Sequence, residues 1–276
     1  LRVDLRPDRD MTLNVEVYNP NGSIPFIVTP GGMGDIEGFG AFARNLAAAS
    51  SDLKVIIMDR RNLGRSEVSF ANAEPMAGEE AEDLHVLLQR LDIDSAIFYG
   101  MSSGSRSNMV LAERYPEQVD ALIIAPLTGG PIAAQRLSEE YFLSYVRDDS
   151  LISMEAVAQT PLWKGYMERN SAELQKIFME QNIDDFLGTM KTTGEYLASF
   201  HAKTTLGMTD EQLMSLDVPA TLILHHGQEI DFLHPKVNAR AATTLIQNST
   251  FKITPSLQSI VAEVLPFVRE YTSVRK

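Results

Sequence analysis

Four short runs of this chain, residues 54–58, 95–99, 121–125 and 220–225, are almost continuously apolar and rich in β-branched side chains. A strand with one wet face alternates apolar and polar residues. A strand that is apolar throughout is buried on both faces, as in a parallel sheet covered by helices. Between these runs lie longer segments, residues 36–49, 79–91, 105–115 and 237–246, whose apolar residues recur at helical spacing. The alternation is that of βαβ units and predicts an α/β domain with a mostly parallel central sheet flanked by helices. Two further runs, residues 13–18 and 24–29, flank Asn21-Gly22 and read as a hairpin. Residues 251–253 suggest a weaker last strand and residues 259–271 a closing helix.

The rhythm breaks between residues 128 and 216, where the pattern is helical, no clear strand occurs, and the single Trp, Trp163, sits among many Met and Tyr residues. This predicts a helical lid at residues 128–216, inserted between core segments 1–127 and 217–276 and covering the carboxyl ends of the strands, where open α/β sheets bind ligands.

Composition narrows the chemistry. With 24 Lys plus Arg against 37 Asp plus Glu, the formal charge of −13 disfavours nucleic acid as a partner. No run approaches the roughly 18 apolar residues of a membrane span, and the first residues lack the apolar stretch of a signal peptide, so a cytoplasmic protein without membrane contact is expected. The absence of Cys removes disulfides, thiolate metal sites and cysteine nucleophiles. No cofactor or metal is expected, the partner is a small-molecule substrate, and a homodimer is left open. The whole imidazole supply is His85, His201, His225, His226 and His234.

Directly after the run at 95–99, Gly100-Met101-Ser102-Ser103-Gly104 leads into a helical pattern. This is the G-x-S-x-G arrangement in the strand-to-helix setting it requires. A sharp turn there strains the backbone of Ser102 and presents its hydroxyl as a nucleophile, with the amide of Ser103 at a helix N-terminus aimed at a developing oxyanion. The glycine-rich loop Thr29-Pro30-Gly31-Gly32-Met33-Gly34, also after a strand, offers a second amide, that of Gly32 or Met33. Residues 59–66, Asp59-Arg60-Arg61-Asn62-Leu63-Gly64-Arg65-Ser66, read as a tight scaffolding turn. Arg106, one helical turn beyond Ser102, is expected to tie down that turn rather than to bind an anionic substrate group.

On these motifs the chain resembles the α/β-hydrolase superfamily over nearly its whole length, and most nearly its lid-bearing serine enzymes such as esterases, lactonases and meta-cleavage-product hydrolases. The resemblance makes Pro30-Gly31-Gly32 the oxyanion loop, with Pro30 where His is usual, and residues 59–66 the conserved-type turn, with Asn62 where Gly is usual. It implies an acid after the strand at 220–225, for which Asp231 is the candidate and Glu229 the rival. It also implies a histidine after the last strand, and none is there: residues 254–259 read Thr-Pro-Ser-Leu-Gln-Ser, and no His follows His234. His234, in the acid loop beside Pro235, is the replacement this reading selects, ahead of His201 facing the pocket from the insertion, a structural His225 or His226, and a helix-surface His85. The implied function is hydrolysis of an ester, lactone or C–C bond of a small apolar substrate through Ser102 and a backbone oxyanion hole. The alternatives are a ligand-binding relative, or a lyase or isomerase, that lost the triad histidine.

Overall fold

In the computed structural model, which describes residues 1–71 and 74–274, eight strands form one sheet in the order β1-β2-β4-β3-β5-β6-β7-β8. The strands are β1 (Arg2–Asp4), β2 (Thr12–Tyr18), β3 (Ile24–Thr29), β4 (Leu53–Met58), β5 (Ala96–Gly100), β6 (Val119–Ile124), β7 (Thr221–His225) and β8 (Ser249–Ile253). All pairings from β4 across to β8 are parallel, and β2 runs antiparallel to both β1 and β4. Helices α1 (Ile36–Ala49), α2 (Met76–Arg90) and α3 (Ser103–Arg114) connect the first strands. Between β6 and β7 the chain forms α4 (Pro131–Ser138), a π turn at Glu139–Leu143, α5 (Ser144–Val146), α6 (Met154–Ala158), α7 (Pro161–Arg169), α8 (Ala172–Met179), α9 (Ile183–Ser199) and α10 (Asp210–Ser215). The chain closes with α11 (Lys236–Leu245) and α12 (Leu257–Val274). This is the expected α/β architecture.

The continuous apolar runs have the predicted cause. Successive side chains of a strand point to opposite faces, and in β5 Ile97 and Tyr99 pack with Phe42, Leu46, Val264 and Val268 of α1 and α12. Ala96 and Phe98 pack on the other side with Leu84, Leu87, Met109 and Ala242 of α2, α3 and α11. Both faces are dry, so no polar alternation survives in the central strands.

The expected hairpin is corrected. The turn itself forms, Gly22 donating its amide to the Asn19 carbonyl at 2.8 Å. Yet β2 and β3 are not partners, because β4 lies between them. The nearly all-apolar β4 demands neighbours on both edges, whereas β2, carrying Asn14 and Glu16, tolerates a place near the sheet's rim. Gly22 is needed for a different reason from the one the turn signal suggests: a Cβ there would stand 2.5 Å from the Lys54 amide nitrogen, so the chain crosses tightly over the start of β4. The short β1 carries no sequence signal of its own.

The helices of residues 131–215 have their own apolar cluster, built on Trp163, Phe178 and Phe186. Phe70, from the strand-side segment after residue 66, enters it edge-on to Trp163 and Phe186 at centroid distances of 5.5 and 4.9 Å. Tyr166 donates to the Ser66 carbonyl at 3.0 Å and Thr189 to the Phe70 carbonyl at 2.6 Å. The insertion is thereby anchored to the sheet's carboxyl end. No helix among the described residues is long and apolar enough to cross a membrane.

Candidate active site

β5 ends at Gly100 and α3 begins at Ser103, so two residues reverse the chain. The reversal puts Ser102 at φ 50° and ψ −111°, a conformation a side-chain-bearing residue adopts only under constraint. The constraint is close packing. A Cβ on Gly100 would lie 2.5 Å from Ser105 Cα, and one on Gly104 would lie 2.3 Å from the Thr29 carbonyl oxygen. The turn exists because both positions are glycine.

The Ser102 hydroxyl lies 2.8 Å from His234 Nε2 and 3.2 Å from Thr128 Oγ1. His234 Nδ1 lies 2.9 Å from Asp231 Oδ2. The sequence-selected serine, histidine and acid are therefore brought into one chain of hydrogen bonds, with the acid and imidazole only three residues apart in the loop that follows β7. Because an ionised carboxylate only accepts, Nδ1 must carry the proton and Nε2 is left as an acceptor for the serine O–H.

The loop that holds this geometry is built by hydrogen bonds onto one carboxylate and two further imidazoles. Asp231 Oδ1 accepts from the amides of Leu233 and His234 at 2.8 and 3.0 Å, and Oδ2 also accepts from His226 Nε2 at 2.9 Å. Burial alone would raise the Asp231 carboxyl, but the hydrogen bonds from the His234 ring, the His234 amide and the Leu233 amide outweigh it and hold the group well below the usual carboxylate range. The Gln228 amide donates to His226 Nδ1 at 3.1 Å, which fixes that ring's other nitrogen as the donor to Asp231. In the same way the Gly227 amide donates to His225 Nδ1 at 2.9 Å, and His225 Nε2 donates to the His234 carbonyl at 2.9 Å. Burial lowers the basicity of His234, with Asp231 opposing, and lowers that of His225 likewise. Both rings are held neutral.

The remaining candidates lie elsewhere. Glu229 is exposed and paired with Lys236 at 2.5 Å. His201 is exposed on the insertion and does not line the pocket. His85 is not a simple surface residue: it stacks on Tyr115 at 3.9 Å and bonds Gln118 at 2.9 Å. Among the described residues, His226, Asp231 and His234 bring ligand-type atoms within 4.8 Å of one another and are the group that could hold a divalent cation. Hydrogen bonds already join all three.

On the glycine-rich loop, the Gly32 amide donates to Ser103 Oγ at 2.7 Å, while the amides of Met33 and Ser103 have no partner among the described residues. Arg60 donates to the Gly32 carbonyl and, at 2.8 Å, to Glu80, so it braces this loop. The Asp59 carboxylate accepts from the Ile36 and Arg65 amides at 2.6 and 2.9 Å and from Asn14 at 2.8 Å, the scaffolding role expected of its turn. Asn62 takes φ 66°, which explains why glycine also suits that position. The expectation for Arg106 is corrected. The Asp59 oxygens are already occupied, and Arg106 forms no hydrogen bond or salt bridge with any described residue.

Sequence reasoning missed two contributors, Thr128 beside the serine and the Ser103 side chain on the Gly32 amide; of these Thr128 left a trace, lying just past a buried strand adjacent to β5. His226, read as structural, and Arg60, read as part of the scaffolding turn, take such roles on the acid and under the Gly32 peptide.

Ser102 and His234 open onto a cavity of about 260 Å³ whose walls are mostly apolar side chains, among them Met76, Tyr141, Trp163 and Leu197. The chain is similar to several known proteins. Over 107 residues the chain is 33% identical to the uncharacterized hydrolase YraK of Bacillus subtilis (strain 168), covering 38% of each chain. Over 123 residues it is 30% identical to the esterase YbfF of Escherichia coli (strain K12), covering 42% of this chain and 46% of the esterase. Each match thus spans less than half of the relative's length. A hydrolase from Pseudomonas aeruginosa PA01 superposes over 94% of both chains with a TM-score of 0.63 at 19% identity. The model of the alpha/beta hydrolase fold family matches residues 24–188, and the chain belongs to that family.

Proposed function

We propose that the protein is a serine hydrolase that cleaves an ester, lactone or activated C–C bond of a small, largely apolar substrate. The observation that carries this reading is the 2.8 Å approach of His234 Nε2 to the Ser102 hydroxyl, with Asp231 2.9 Å behind on Nδ1. That geometry supports His234 as the base in place of the histidine that the resemblance puts after the last strand, and no separate observation favours the ligand-binding, lyase or isomerase alternatives. The similarity to an esterase supports the same chemistry.

In this mechanism His234 removes the Ser102 proton as Oγ attacks the substrate carbonyl, and Asp231 stabilises the imidazolium that forms. The Ser103 amide, at the N-terminus of α3, receives the oxyanion together with the amide of Met33 or of Gly32, the latter after rotation of the Ser103 hydroxyl. His234 then protonates the leaving group, and water completes the cycle by the same path. Residues 128–216 act as a lid: their apolar cluster roofs the cavity and excludes water from the acyl intermediate.

A fluorophosphonate probe tests the reading. Covalent labelling mapped to Ser102 by mass spectrometry is expected, and a folded protein that stays unlabelled at saturating probe rejects it. The pH profile gives a second test. The reaction needs neutral His234, and burial sets this group below the ordinary imidazole value of 6.5. kcat/KM is therefore expected to be flat at and above neutral pH and to fall on acidification, with its midpoint below 6.5. A midpoint above that value contradicts the burial argument.

A further inference from the structure

The cavity holds one charge that neither the fold nor the proposed reaction uses. Arg106 is only 8% exposed and lines the cavity, yet its Nη1 is buried without a hydrogen-bond partner. Its stem is fixed: a Cβ on Gly207, a residue at φ 90°, would stand 3.1 Å from Arg106 Cδ, so only glycine lets the chain pass there. Among the described residues, the one carboxylate close enough to influence it, Glu80, is committed. One Glu80 oxygen accepts from Arg60 at 2.8 Å and the other from Ser107. The nearby Tyr196 hydroxyl donates to the Gly207 carbonyl at 2.8 Å. Burial lowers the Arg106 guanidinium to about 10, with Glu80 and Arg60 acting in opposite directions, so it remains charged at neutral pH.

A buried cation without a counterion is costly, and the cost is relieved when a ligand brings the anion. The geometry points to Arg106 as the recognition residue for a carboxylate carried by the substrate. The inference rests on the serine-hydrolase reading and narrows its substrate class to esters or ketones with an apolar body and one anionic end. Three features select a monoanionic carboxylate. The guanidinium is a planar donor that matches a carboxylate. Arg61, which also lines the cavity, is matched together with Arg9 by Glu79 and Asp83, and Arg60 is matched by Glu80, which leaves the single positive charge of Arg106 for a monoanion to balance and a dianionic phosphate to exceed. The cavity of about 260 Å³ admits only a short chain between the two ends. Arg106 lies one helical turn beyond Ser102, about 6 Å along the axis of α3, which places the carboxylate a few bonds from the attacked carbonyl.

The test uses 4-nitrophenyl half-esters of succinate, glutarate and adipate, each compared with its neutral methyl ester, and 4-acetoxybenzoate compared with its methyl ester, to sample the acyl and leaving-group sides. Wild type is expected to prefer the anionic member of at least one pair by about tenfold or more in kcat/KM, the scale of one charge-assisted hydrogen bond. Arg106→Gln is expected to abolish that preference and Arg106→Lys to restore part of it. A wild-type enzyme that hydrolyses the neutral esters and shows no anion preference in any pair overturns the inference, as does a preference that survives in Arg106→Gln. The wild-type comparison decides the matter even if the variants fail to fold. If Ser102 is neither labelled nor hydrolytic, the serine-hydrolase reading fails separately. Calorimetric binding of the same half-esters then decides the role of Arg106: tighter binding than the neutral esters supports it, and equal binding overturns it.

Discussion

Replacing His234 with Ala is expected to lower kcat/KM on a simple aryl ester by about 10⁴ to 10⁶, as far as Ser102→Ala does, and the double variant is expected to fall no further. The reason is that the two groups act as one unit. A serine hydroxyl at neutral pH is a weak nucleophile, and among the described residues the only acceptor within reach that titrates near neutrality is His234 Nε2 at 2.8 Å. The other close group, Thr128 Oγ1 at 3.2 Å, cannot take the proton. Rescue from the neighbouring imidazoles is not expected. His226 spends Nε2 on Asp231 and Nδ1 on the Gln228 amide, and His225 spends Nε2 on the His234 carbonyl and Nδ1 on the Gly227 amide. Both of the contacts that fix the loop through residue 234 besides its ring are backbone contacts, which alanine keeps. The variant is thus expected to fold, with a thermal midpoint within a few degrees of wild type, so that the rate loss reports chemistry. Activity within tenfold of wild type would place the base elsewhere.

The parallel sheet was legible because burial on both faces erases polar alternation, and that erasure can be read one residue at a time in β4, β5 and β7. Strand order was not: the turn at Asn21-Gly22 speaks only of its own four residues, while the insertion of β4 between β2 and β3 depends on which apolar faces remain to be covered. The serine was legible because Gly100, Ser102 and Gly104 are demanded by local geometry, a reversal too tight for any Cβ at the flanking positions. Asp231 and His234 were reachable only through elimination among five histidines and a loop's likeness to others. Their meeting with Ser102 is a tertiary fact about where the loop after β7 crosses the end of β5. Arg106 was misread for a related reason. Sequence spacing placed it one turn from Ser102, but whether its guanidinium finds a partner depends on Asp59 and Glu80 being already spoken for, and no one-dimensional pattern records that.

Asp231→Asn is expected to cost about 10⁴ in kcat/KM, and the dual load on this carboxylate makes the loss hard to escape. Oδ2 accepts two ring N–H groups, from His234 and His226, while Oδ1 accepts two backbone N–H groups, from Leu233 and His234. An asparagine has one carbonyl oxygen and one NH₂ for these two pairs of donors. If the oxygen keeps the backbone, the NH₂ faces the rings; His234 must then accept at Nδ1, which moves its proton to Nε2 and turns the base facing Ser102 into a donor. If the oxygen keeps the rings, the NH₂ opposes two amide donors, and leaving them unpaired costs on the order of 1–3 kcal/mol each unless the loop rearranges. The first arrangement loses rate and sets the NH₂ against the His226 ring, whose Nδ1 is held as an acceptor by the Gln228 amide; the second opposes two backbone amides and loses more stability. Measuring kcat/KM together with the denaturation midpoint tells the two apart. In either case the ionised carboxylate no longer stabilises the imidazolium, so activity near wild type in a folded Asp231→Asn protein would remove Asp231 from the mechanism.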